Sequence, residues 1–149
     1  MSQDKSNHEG HEGHEGRFRM RLASPLSAEA ETAMWQVIGS AIEVHRALGP
    51  GYLESIYKRA MCIALAKAGM SYECEKAVEV MYEGVAISGQ RVDLIVEKLI
   101  VVELKAVRRF EEIHEAQVVS YLKTTGLRGG LLINFHVPVL SRGIKRIVL

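Results

Sequence analysis

Apolar residues take up a helical period shortly after residue 26. Ser27 followed by Glu29 and Glu31 reads as a helix start, with acidic side chains near the positive end of the helix. Trp35, Ile38, Ile42 and His45 then recur at spacings of three and four, which predicts one apolar face of a helix ending near Leu48. Gly49-Pro50-Gly51 stops it. A second helix is predicted over residues 53–68, where Leu53, Ile56, Tyr57, Ala60, Ile63 and Ala64 again fit the helical period. Gly69 suits its C-terminal cap.

The pattern then changes. Residues 72–82 mix apolar and polar side chains in a strand-like way, and Glu83-Gly84 makes a turn. Residues 85–87 continue as strand until Ser88-Gly89 interrupts them. Two clear β segments follow, 91–96 and 99–107, with Glu97-Lys98 between them. A third helix is predicted over 111–125, ended by Gly126. Gly130 introduces Leu131-Leu132-Ile133-Asn134-Phe135, a short buried strand, and 144–149 reads as a last strand. Helix, helix, three strands, helix, strand, strand is the order of an α/β domain with helices packed on a mixed sheet.

Residues 1–26 differ from the rest. Three His-Glu-Gly triplets run from His8 to Gly16, followed by Arg17, Arg19, Arg21 and Pro25. Glycine at every third position opposes a helix, and there is little apolar surface to bury. The segment is expected to be a disordered tail ahead of a folded domain at 27–149. His8, His11 and His14 could form a weak metal tract, but a solvated tail is the simpler reading.

Composition narrows the partners. With 149 residues the chain can bury one substantial core. Its net charge of +1 gives no global basic field, so a nucleic acid would have to be gripped by a local patch. Arg108, Arg109, Arg128, Arg142, Lys145 and Arg146 are available for phosphates, with Arg108 and Arg109 the best candidates because they follow a β segment that carries charge. No apolar run is long enough for a membrane span, and no signal-peptide core precedes the domain, so the chain reads as cytoplasmic with no membrane partner. Cys62 and Cys74 lack metal-site spacing and read as reduced structural thiols.

The chemistry gathers on the two β segments joined near Lys98. If the hairpin is centred there, Asp93 lies opposite Glu103, and alternation puts Glu103 and Lys105 on one face. Val92, Leu94, Val96, Val102 and Leu104 then form the opposite, core face, and Arg91 shares the face of Asp93. Two adjacent carboxylates repel each other unless a cation or proton intervenes. Mg2+ prefers oxygen ligands, and two carboxylates with the Leu104 carbonyl between Glu103 and Lys105 would suit it. Lys105 could then orient or help deprotonate a water for attack on a phosphodiester. The same residues also fit a solvated sheet face with a Glu103–Lys105 or Arg91–Asp93 ion pair. Glu54 early in the second helix, and Gln117 and Tyr121 four apart on the third, add polar groups that could face the same region. Asn134 and His136 flank Phe135 at the end of the next strand. Tyr57 reads as a core aromatic with a hydrogen-bonded hydroxyl, His45 as a packed histidine, and His114 as a surface helix residue.

Gly51-Tyr52-Leu53-Glu54-Ser55-Ile56-Tyr57 resembles the G-x-x-E-x-x-Y signature of the GxxExxY proteins, which are assigned to the PD-(D/E)xK nuclease superfamily. The likeness continues through Arg91-Val92-Asp93, Val102-Glu103-Leu104-Lys105-Ala106, Gln117 to Tyr121, Leu132-Ile133-Asn134-Phe135 and Gly143-Ile144-Lys145-Arg146-Ile147. Val92 stands where the superfamily name has proline. The resemblance implies a restriction-endonuclease-like αβββαβ core, a mixed central sheet flanked by helices. It implies Mg2+ (or Mn2+) held by Asp93 and Glu103, with Glu54 assisting directly or through water, and Lys105 as the catalytic lysine. Gln117 and Tyr121 look like the Q-x-x-x-Y pair of RecB-type nucleases, which supports the site and meets the substrate backbone. The expected function is metal-dependent hydrolysis of phosphodiester bonds in nucleic acid, DNA in the first place. The alternative is a non-catalytic or partner-dependent binding module for nucleic acid or protein on the same fold. A domain this small covers few base pairs, so double-strand contact suggests a homodimer or a larger protein complex.

Overall fold

The computed structural model describes residues 24–149, so the His-Glu-Gly triplets lie outside the described residues. Leu26, placed in the tail by sequence, is buried against Ala30 and Met34, and the packed chain therefore includes it. Helix α1 spans Ala28–Leu48, and its N-cap Ser27 accepts a hydrogen bond from the Ala30 amide at 3.1 Å. Helix α2 spans Glu54–Lys67 and ends on Ala68, one residue before the glycine expected to cap it.

Each helix buries part of its expected face: His45 and Tyr57 are buried, and Ile38, Ile42, Ala60 and Ala64 are partly buried against the core, but the centre of each buried stripe lies beside the expected one. In α1 the buried positions are Ala30, Ala33, Met34, Val37, Ser40, Ala41, Val44 and His45, while Trp35 is 62% exposed with Arg146 over its ring. In α2 the buried positions are Tyr57, Met61, Cys62 and Leu65, and Leu53, Ile56 and Ile63 lie outside. In α1 the small side chains Ala30, Ala33 and Ala41 belong to the buried stripe, whereas a search for bulky apolar residues selects the neighbouring one.

The five strands are β1 (Tyr72–Tyr82), β2 (Val85–Val96), β3 (Ile100–Lys105), β4 (Gly129–Asn134) and β5 (Ile144–Val148). They lie in the order β1-β2-β3-β4-β5. All neighbours are antiparallel except β3 and β4, which are parallel and joined by helix α3 (Glu112–Thr125). A short 3-10 turn, Leu140–Gly143, leads into β5. The mixed α/β architecture and the αβββαβ order are those expected from the sequence. Ser88-Gly89 does not end β2 but interrupts its pairing: the register with β1 shifts there, from Val78–Gln90 to Val80–Ile87, and the strand continues on both sides.

Both faces of the sheet are covered, which corrects the expectation of one core face and one polar face. Leu94, Val96, Val102, Leu104 and Ile133 pack with α1 and α2. Val92, Ile95, Val101 and Leu132 pack with Val118, Tyr121 and Leu122 of α3. Val92 and Leu94 therefore lie on opposite sides, although strict alternation puts them together. The irregularity falls at the residue between them, Asp93.

Candidate active site

The β2–β3 ladder pairs Val96 with Ile100, Ile95 with Val101 and Leu94 with Val102. Continuing that register by one residue brings Asp93 level with Glu103, as the hairpin argument expects. The backbone ladder stops there. Instead the Leu104 amide donates to Asp93 Oδ2 at 2.9 Å, so a side chain takes the place of a strand carbonyl. On the other side β1 also parts from β2 at this point: Cys74 pairs with Leu94 and Lys76 with Val92, but Glu75 has φ of 52° and is unpaired. A non-glycine residue in the left-handed region is costly and signals a position held by its surroundings. The strands thus loosen around Asp93 and leave its carboxylate free to turn between them.

Glu103 is only 3% exposed. Its Oε1 lies 3.3 Å from Lys105 Nζ, and its buried Oε2 has no hydrogen-bond partner. Burial, with the charge of Asp93 added, pushes the Glu103 carboxyl up to about 8 against the opposing pull of Lys105. Gln117 Nε2 donates to the Tyr121 hydroxyl at 2.9 Å on α3. Burial and then the negative charge of Glu103 raise that phenol to about 12. The i,i+4 pair read from sequence is therefore formed and faces Glu103.

Lys58 is the site residue that sequence reasoning missed. Its Nζ lies 3.0 Å from Asp93 Oδ1 and also pairs with Glu75. Burial works to lower the Lys58 ammonium, but its hydrogen bonds to Glu75 and Asp93 outweigh that and raise it. The signal was available: Lys58 stands one helical turn after Glu54, so the two project from one side of α2. Arg91 is exposed and forms no ion pair with Asp93, whereas the Glu103–Lys105 pair is made.

Glu54 sits half-buried in the first turn of α2. Among the described residues, no three His, Cys, Asp or Glu side chains gather closely enough to hold one ion. Asp93 and Glu103 are the two carboxylates that this geometry brings level with each other. That donor set fits a hard divalent cation. Mg2+ is commonly held through one or two carboxylates and keeps several waters. The unpartnered Glu103 Oε2 is a buried oxygen that such a cation would satisfy.

Tyr57 and Asn134 prove structural. Tyr57 is fully buried, stacked on Phe135 with ring centroids 4.5 Å apart. Its hydroxyl donates to the Gly49 carbonyl and accepts from the Tyr52 amide, closing the loop before α2. His45 is buried with Nε2 2.8 Å from the Val137 carbonyl oxygen, and His114 caps α3 by accepting from the Glu111 amide. Of the basic residues, Lys145 pairs with Glu115, Arg146 with Glu31, and Arg128 reaches the Leu149 carbonyl. Arg108 and Arg109 are exposed, just beyond Lys105, and neither takes part in an ion pair among the described residues. No described helix is long and apolar enough to cross a membrane. Cys62 is buried and Cys74 exposed, both free thiols.

A family model described as the PD-(D/E)XK nuclease superfamily matches residues 31–147. No curated protein and no solved structure matches the chain.

Proposed function

The chain belongs to the PD-(D/E)XK nuclease superfamily, and from that premise we propose that it hydrolyses phosphodiester bonds in nucleic acid, with DNA the preferred substrate. The observation that carries the reading is Glu103: a buried carboxylate with one oxygen on Lys105 and the other unpartnered, beside Asp93. A desolvated acid of this kind is unfavourable in a purely structural role and is expected where a cation is bound.

Asp93 and Glu103 would hold Mg2+ or Mn2+, with Glu54 reaching it through water. Bound there, a divalent cation supplies Lewis acidity toward the phosphate and a more acidic water. Asp93 enters already oriented, because the Leu104 amide fixes one of its oxygens. Lys105, 3.3 Å from Glu103, can hold the attacking water and meet the negative charge that grows on phosphorus-bound oxygen. Tyr121, tethered by Gln117, keeps the α3 side of the pocket polar next to Glu103 and can approach the substrate backbone. Arg108 and Arg109 would bind flanking phosphates.

The test is cleavage of single- and double-stranded DNA and RNA with Mg2+ or Mn2+, comparing the wild type with Lys105→Ala. Loss of cleavage in the variant is the expected result. Cleavage that survives in Lys105→Ala removes the assigned site.

A partner-dependent form of the same reading has one observation in its favour. Met81, Tyr82, Val85 and Ile87 expose large apolar side chains at the tip of the β1–β2 hairpin. A folded wild type that binds Mn2+ but cuts nothing alone would select that form.

A further inference from the structure

Resting on the nuclease reading, we infer that Lys58 is a built-in counter-ion of the metal site, which holds Asp93 until a divalent cation displaces it. Each of the two motif carboxylates has its own ammonium group. Lys105 stands 3.3 Å from Glu103 and Lys58 stands 3.0 Å from Asp93. The two lysines are not equivalent. Lys105 comes from the same strand as Glu103, and leaves Glu103 Oε2 open. Lys58 comes from α2 and takes the one oxygen of Asp93 that the Leu104 amide does not use.

A cation that ligates Asp93 must therefore share or replace the position of Lys58. Two positive charges on one carboxylate oxygen repel each other strongly where water is scarce, and the Asp93 side chain is only 10% exposed. Glu75 gives Lys58 an alternative partner: it already shares the ammonium, and at 42% side-chain exposure it faces solvent. A surface concavity of about 310 Å3, lined by Ser55, Lys58, Arg59, Tyr72 and Glu75 among others, lies on that side. Lys58 already bonds Glu75 at the edge of this concavity, so it keeps a partner when it leaves Asp93. The left-handed backbone of Glu75 is explained by the same arrangement, since it stands opposite Asp93 and directs its carboxylate to Lys58.

Lys58 is accordingly a positioning residue that acts through Asp93. It keeps the carboxylate pair neutralised in the metal-free protein and sets how tightly metal binds. Removing its charge should tighten metal binding. Removing Glu75's charge should leave Lys58 wholly on Asp93 and weaken it.

The experiment is titration calorimetry of the full chain with Mn2+, on the wild type and on Lys58→Met, Lys58→Arg and Glu75→Gln, each checked for folding by circular dichroism. Lys58→Met should bind Mn2+ about tenfold more tightly or better. Lys58→Arg should stay within about threefold of the wild type, since the charge is restored. Glu75→Gln should bind more weakly. The rise in melting temperature on adding Mn2+ should be largest for Lys58→Met, because that metal-free protein has lost its counter-ion. Wild-type binding with Lys58→Met equal or weaker overturns the counter-ion role and leaves the nuclease reading standing. Binding by Lys58→Met alone supports the counter-ion role. Binding by none of the four proteins overturns both.

Discussion

Asp93 accepts the Leu104 backbone amide through its side chain, at 2.9 Å, where the β2–β3 ladder would otherwise continue. One contact thus serves structure and chemistry: it terminates the strand pairing and points the other carboxylate oxygen at Lys58. The two roles separate by substitution. Asp93→Asn keeps an acceptor for the amide and should fold normally, yet lose cleavage by about 100-fold or more. Asp93→Ala strands a buried amide and should also cost about 1–3 kcal/mol of stability. Urea unfolding together with a plasmid-cleavage assay checks both, and equal stability of the two variants would deny the amide contact its structural part.

Glu103 makes the metal-free protein sensitive to pH. Its carboxyl is raised from the usual 4.5 to about 8 by burial and by Asp93. Between those values the unfolded chain releases a proton that the folded chain keeps, so the folded state binds more protons. Stability in chelator is therefore full below about pH 4.5 and falls as pH rises to about 8. The loss is on the order of a few kcal/mol. Thermal melts in EDTA should show this decline, and Glu103→Gln should flatten it. A wild-type profile that rises from pH 5 to 8 would contradict the assignment.

Much of this was legible in the chain. The element order, the hairpin centred near Lys98 and the Gln117–Tyr121 pair follow from turn residues and periodicity. Those signals are local. What was not legible depends on neighbours distant in sequence. The buried stripe of α1 is marked by alanines such as Ala33 and Ala41, whose burial is set by how closely a sheet approaches. Trp35 looks like a core residue, yet it stays on the surface, where the Arg146 guanidinium, far along the chain, lies over its ring. The i,i+4 spacing puts Lys58 on the side of Glu54, but its pairing with Asp93 and Glu75 joins elements distant in sequence and is seen only in the fold. Glu75 itself carries no sequence sign of its left-handed backbone.

Tyr121→Phe tests the α3 side of the pocket. The change removes the hydroxyl that accepts from Gln117 at 2.9 Å and keeps the buried ring. Stability should change little, because Gln117 is only partly buried and water can replace the contact. Cleavage should fall about 10- to 100-fold if the phenol orders groups around Glu103. Unchanged rates at saturating substrate would reduce Tyr121 to a packing residue.

Loss of Asn134 should reach the site through the backbone that carries Lys105. Asn134 is 2% exposed, its side-chain Oδ1 accepts from the Val107 amide at 3.0 Å and the His136 amide at 3.1 Å, and its side-chain NH2 donates to the Val107 carbonyl at 2.7 Å. These bonds clip the segment leaving Lys105 to the end of β4, where Asn134 already pairs with Lys105 in register. Gly143 packs on the end of β4 so closely that an added Cβ would meet the backbone carbonyl oxygen of Asn134 at 2.1 Å. Asn134→Ala leaves buried backbone groups unsatisfied and should cost about 2–3 kcal/mol. Gly143→Ala forces the β4 end to move and should destabilise through sterics, with the hydrogen bonds chemically intact. If the clip positions Lys105, both variants should lose cleavage per folded molecule while still binding Mn2+, since neither touches Asp93 or Glu103. Measuring specific activity at a temperature where each variant is fully folded separates that effect from simple unfolding. Full activity in both would confine Asn134 to stability.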